Sequence, residues 1–69
     1  MNIRFLMTTL KPTEYGGQYR HIHFVGEYDP AQWKSEKHMR RSFRDKVKRQ
    51  WPEAWKDPTR EIRREEVLA

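Results

Sequence analysis

The sequence predicts an α+β fold in which an N-terminal antiparallel β-hairpin packs against one long amphipathic helix, followed by a C-terminal segment of helical or extended form. Three observations carry that prediction. Two β-rich segments, NIRFLMTTL and QYRHIHFVGEY, flank a Gly-Gly pair; Asp29-Pro30 opens a helix; and apolar residues recur at helical spacing from Met39 to Val47. The chain is short enough to read as one small domain over residues 1–69, with the hairpin at 2–28, the helix at 30–51 and the remainder at 52–69.

The first strand is residues 2–10, where β-branched and aromatic side chains alternate imperfectly. The second, residues 18–28, places Arg20, Ile22, Phe24 and Tyr28 on one side and Tyr19, His21, His23 and Val25 on the other. Gly16-Gly17 supplies the positive φ angles of a tight turn. With those two glycines as the turn, Phe5 opposes Tyr28, Met7 opposes Gly26 and Thr9 opposes Phe24, which gathers the larger apolar groups on one face. Pro12 lacks a ladder donor, so the pairing is expected to open there.

Several cues agree on a helix beginning near Pro30. Asp29 is a capping residue, Pro30 suits the first helical position, and Gln32 stands where a capping box needs it. Tyr28 and Trp33 are spaced as a hydrophobic staple. Pro52 ends the helix at Trp51, because the residue before a proline is pushed out of helical geometry. Met39, Phe43 and Val47 form one stripe, and a two-stranded hairpin needs such a cover in water. PEAW then fits one more helical turn before Asp57-Pro58 breaks the chain again. The tail, TREIRREEVLA, reads either as a short helix or as an added strand with Ile62, Arg64, Glu66 and Leu68 on one side.

Composition excludes several kinds of chemistry. Without cysteine there is no disulfide, thiolate nucleophile or cysteine-held zinc. No apolar run approaches the roughly 18 residues of a membrane span. The start, MNIRFLMTTLKP, has neither a basic opening nor a small-residue cleavage site, so it is not read as a signal peptide. A soluble, cytoplasmic protein is expected, with no membrane partner.

The net charge of +5 is unevenly distributed. From Trp33 to Gln50, eight basic residues stand against Glu36 and Asp45, a net +6, so the rest of the chain sums to −1. Lys37, Arg41, Arg44 and Lys48 are spaced i, i+4, i+7, i+11, which lines them up within about 60° of arc on a helix. A solvated face kept for solubility mixes both signs, whereas a row of one sign points to an anionic partner. The expected partner is DNA or RNA. Lys37, Arg41, Arg44 and Lys48 would contact phosphate, with Lys34 and Arg49 nearby and Trp33 or Trp51 as stacking residues. No base-reading constellation is present, so sequence preference should be weak.

Other readings use the same residues. The acids Glu61, Glu65 and Glu66 of the tail would neutralise the row if the tail folded back on it. No motif carries a resemblance to a known family, and size, lack of cysteine and a basic helix are features shared with small accessory proteins of phages and mobile elements. The alternative reading is a small inhibitor or adaptor of that type, docking the same basic surface on an acidic patch of a protein partner. A homodimer formed through a strand edge or the tail is a third possibility.

Weaker signals point elsewhere and are set aside. His21 and His23 share a strand side, but His38 is the only other histidine, so no metal site is expected. Tyr19, His21 and His23 also form a ring-bearing strip of the kind that stacks bases. The acids are scattered, Ser42 has no acyl-transfer context, and Gly16-Gly17 lacks phosphate-loop spacing, so neither an enzyme nor a cofactor is expected.

Overall fold

In the computed structural model, which describes residues 1–68, the two β-rich segments pair antiparallel as β1 (Asn2–Pro12) and β2 (Gln18–Tyr28). The helical stretch follows as α1 (Glu36–Gln50) and α2 (Pro52–Lys56), and the tail resolves its two readings in favour of a strand, β3 (Glu61–Val67). β3 pairs antiparallel with the free edge of β1, giving a sheet of order β2-β1-β3 with α1 and α2 on one face. The fold is α+β, as the sequence predicts.

The hairpin differs in register from the expectation. Ile3 faces Tyr28, Phe5 faces Gly26 and Met7 faces Phe24. This is a shift of two residues from the predicted Phe5–Tyr28 pairing, and a shift of two preserves which side chains share a face. Between Met7 and Thr8 the register slips by one, leaving His23 as the extra residue of a β-bulge; beyond it Thr8 faces Ile22 and Pro12 faces Gln18. The predicted grouping of Arg20 and Ile22 with Phe24 and Tyr28 is therefore corrected. Arg20 pairs with Glu61 on the uncovered face, whereas His23 reaches Thr9 and Trp51 on the helix side.

The turn is also longer than two residues. Thr13–Gly17 forms a five-residue loop in which the Thr13 N–H donates to the Gly17 carbonyl at 2.9 Å and the Gly17 N–H donates to Thr13 Oγ1 at 3.0 Å. Gly16 alone has a positive φ, 89°. Pro12 does not open the pairing to β2. The Leu10 N–H, on the β3 side, donates to Thr59 Oγ1 at 3.0 Å, and Pro12 lies two residues further, past the end of β3. Its missing donor faces no strand there.

The predicted helix over residues 30–51 is two pieces. Asp29 caps as expected, its side chain accepting from the Ala31 N–H at 3.0 Å, and Pro30 takes the first position. The turn that follows is a single 3₁₀ turn, Pro30–Gln32, after which Trp33 is extended. That excursion sets the Trp33 ring edge-on to Tyr28, 5.1 Å between centroids, so the staple pair meets although the helix does not run on. Ser35 restarts the helix by accepting from the His38 N–H, the cap of α1 that the Pro30 signals obscured.

The core lies between α1 and the sheet. Met39, Phe43 and Val47 are buried, as their spacing predicts, against Ile3, Phe5, Met7 and Tyr28. Phe43 is the central residue, 5.6 Å from Phe5 and 5.5 Å from Phe24 between ring centroids. Gly26 is what lets it approach, since a Cβ there would stand 2.8 Å from the Phe43 ring. Burying side chains of this size contributes about 1.5–3 kcal/mol each. β3 adds Ile62 to the core opposite Met7 and sets Arg64 against Glu36 of α1, which fastens the tail to both layers.

The other face of the sheet has no helix over it. Leu6 and Thr8 are nonetheless buried there, flanked by Arg4 with Glu27 and Glu65 and by Arg20 with Glu61. Long arginine stems shield apolar surface while keeping their charge wet. No helix among the described residues is long and apolar enough to cross a membrane.

Candidate functional site

α1 is a helix with one face spent on the core, so its charges fall on the arc that remains. Not all of them point to solvent alone. Arg40 lies over the Phe5 ring at 5.1 Å and Lys46 over the Tyr28 ring at 5.4 Å, so these two flank the core and cover its aromatic edges. Lys37, Arg41, Arg44 and Lys48 lie further round, all exposed, and line one shallow depression of about 400 Å³ together with Arg40 and Asp45. The four residues of the row are thus brought together on one surface.

No residue of the row pairs with a carboxylate among the described residues. The acids that would have neutralised it are engaged elsewhere. Glu61 meets Arg20 at 3.1 Å, Glu65 meets Arg4 at 3.8 Å, and Glu66 meets Arg64 at 3.2 Å. Arg64 also takes Glu36, the acid in the first turn of α1, and these contacts hold its guanidinium above the usual arginine range. The tail therefore does fold back, but onto the sheet. Glu65 meets Arg4 because β3 puts the two directly across from each other, whereas Glu66 meets Arg64 of its own strand and Glu61 reaches past β1 to Arg20 of β2.

The row continues beyond α1. Arg44 and Lys48 lie over the Trp55 ring of α2 at 6.0 and 5.0 Å, and Arg60 lies over the same indole at 4.5 Å. Trp55 is half-buried against the core, so it anchors three cations at the end of the basic surface. Neither Trp55 nor Arg60 is evident as a site residue in the sequence. An aromatic four residues past Trp51 in a basic neighbourhood was a signal for Trp55. Arg60 had none, because Asp57-Pro58 separates it from the helix and only the fold returns it.

The remaining candidates lie apart from the row. Lys34, Arg49 and Trp33 line a second depression, of about 390 Å³, with His38 and Ser42 on the other flank of α1; Arg41 borders both. Trp33 is half-buried and already edge-on to Tyr28. Trp51 caps the C-terminal end of α1 and faces the sheet's bulge, 6.2 Å from the His23 ring. The indole nearest the row is therefore Trp55, where the sequence points to Trp33 or Trp51. His21 and His23 are adjacent, 4.6 Å between ring centroids, and no group of three metal-ligating side chains occurs among the described residues.

In comparisons with known proteins, no family model, no curated protein and no solved structure matches the chain.

Proposed function

We propose that the protein binds nucleic acid through phosphate contacts from Lys37, Arg41, Arg44 and Lys48, extended by Arg60, with little sequence preference. The observation that carries this reading is the contrast between an unpaired row of one sign and tail acids that are all engaged by other cations. Four like charges on neighbouring turns repel one another by a few tenths of a kcal/mol per pair, a cost the fold does not require. An anionic polymer relieves that repulsion and releases counterions, which favours association. The row carries no side chain fixed to read a base edge, so contact with phosphate positions the strand and specifies little.

The test is a titration of labelled duplex DNA, single-stranded DNA and RNA at two salt concentrations. The wild type should bind with a log–log salt slope of about −3 to −4 for four phosphate contacts. Lys37→Glu/Arg41→Glu/Arg44→Glu/Lys48→Glu should weaken binding by about 100-fold or more. Absence of binding by the wild type at low salt, or equal binding by the quadruple variant, sinks the proposal. In that event, salt-sensitive capture of an acidic protein through the same row is the reading to pursue.

A further inference from the structure

A second site lies where the end of α1 meets the bulge in the sheet. Lys11 of β1, His21 and His23 of β2, Trp51, and the carboxylates Glu53 and Asp57 border an open groove of about 470 Å³. That volume is in the range of small-ligand pockets, about 300–1,000 Å³. Its lining shares no residue with the basic row.

His21, His23 and Trp51, rings that the core does not use, wall the groove, and Tyr19 adjoins His21 just outside it. Tyr19, His21, His23 and Trp51 follow one another at centroid separations of 6.2, 4.6 and 6.2 Å. Their planes meet at 83°, 77° and 53°, so each ring meets its neighbour at an angle and the rings do not stack face on face. Trp51 is 43% exposed and Tyr19 48%. The bulge creates this arrangement: without the extra residue at His23, His21 and Tyr19 would lie on the opposite side from Phe24.

The polar groups of the groove are held in place. His23 Nε2 lies 2.6 Å from Thr9 Oγ1, which fixes the imidazole plane. Burial, together with His21 and Lys11, holds His23 below the usual imidazole range, so its ring is neutral at neutral pH. Asp57 accepts from Thr59 Oγ1 at 2.7 Å and from the Thr59 N–H at 2.8 Å. Those bonds keep its carboxylate ionised and aimed, and both of them fall on Oδ1, leaving Oδ2 to accept from elsewhere.

We propose that this groove receives one unpaired nucleobase, laid against the Trp51 indole, with a base N–H donating to Asp57 or Glu53 and Lys11 meeting the adjoining phosphate. The combination of an open indole, a neutral imidazole, two acceptors and one cation fits a planar ring that carries N–H donors and an anionic tether. The inference rests on the nucleic-acid reading of the row and narrows it to single-stranded or locally unpaired strands, since a base inside a duplex has no free face.

The test compares a mixed-sequence single-stranded 12-mer with an abasic strand carrying the same number of phosphates. The wild type should bind the base-bearing strand about tenfold more tightly, the order expected for one stacked base. Trp51→Ala and, separately, His21→Ala should reduce that preference to within about twofold while leaving affinity for the abasic strand unchanged. His21 is exposed, so its variant keeps the test available if removal of Trp51 perturbs folding, which circular dichroism reports. Equal affinity of the wild type for the two strands, or a preference that survives both substitutions, overturns the groove. If the row's charge-reversal variant still loses both strands in that case, the phosphate-binding reading stands without it; if the wild type binds neither strand, both fail together.

Discussion

The protein carries two sets of basic side chains that behave differently. On the sheet, Arg4 stands between Glu27 and Glu65, Arg20 meets Glu61, and Arg64 joins Glu36 to Glu66. On α1, Lys37, Arg41, Arg44 and Lys48 have no such partners among the described residues. The side chains are of the same kind, so the difference comes from what stands opposite them. A central strand presents each of its residues to a neighbour on either side, and here the neighbours of Arg4 are acids. The outer arc of a helix that covers a sheet faces only water. Exposed ion pairs contribute about 0–1 kcal/mol each, so the sheet's acids matter less for stability than for where they leave the charge. By neutralising the sheet they leave the +6 of the helix segment as the dominant field of the molecule.

The contrast depends on α1 being seated on the sheet, and the largest expected effect on stability tests that seating. Gly26→Ala places a methyl group 2.8 Å from the Phe43 ring, and urea denaturation should report a loss of about 1–3 kcal/mol. Unchanged stability would mean that the helix has room to lift, and the positions of the row relative to Trp55 would lose their meaning. Next in size are the sheet arginines. Arg4→Gln and Arg20→Gln, which remove exposed pairs, should each lower stability by about 0–1 kcal/mol and leave nucleic-acid affinity within about twofold. A loss of affinity comparable to that of the row variant would erase the distinction between the two sets.

Arg41→Gln should act in the opposite direction on stability, raising it by a few tenths of a kcal/mol as repulsion along the row is relieved. The same variant should flatten the salt slope by about 1 if Arg41 meets a phosphate. The smallest effect concerns pH. His23 titrates below its ordinary value of 6.5, chiefly through burial and then through His21 and Lys11, with Asp57 opposing. The unfolded chain therefore takes up this proton first as the pH falls, so the contribution to stability is present above about 6.5 and is lost below it. Thermal melts between pH 7.5 and 5 should show that decline in the wild type and a shallower one in His23→Gln.

Much of the fold was legible because local rules and the global fold agree. Met39, Phe43 and Val47 are buried by their spacing alone, and Pro52 ends α1 wherever the helix packs. Asp29 caps as it should, yet the helix it announces stops after one 3₁₀ turn, where Trp33 is extended and its ring meets Tyr28 edge-on. Ser35 was the better signal and stood six residues from a louder one, Asp29. The row was legible because four cations at helical spacing share an arc whatever the helix packs against. Its lack of partners was not legible, since that depends on where Glu61, Glu65 and Glu66 go.

From the amino-acid sequence alone come the two long strands, the apolar stripe of α1, the ends imposed by proline and the concentration of positive charge in one element. Each of these depends on residues a few positions apart, whose geometry the backbone itself dictates. Tertiary structure decided the register of the hairpin, the bulge at His23, the choice of strand over helix for residues 61–67 and the meeting of Trp55 with Arg60. The tail has no strong preference of its own, and the unpaired edge of β1 settled its form by offering both a hydrogen-bond ladder and an arginine opposite Glu65. Contacts between residues distant in the chain are set by which edges and faces the rest of the fold leaves uncovered, and no local pattern records that.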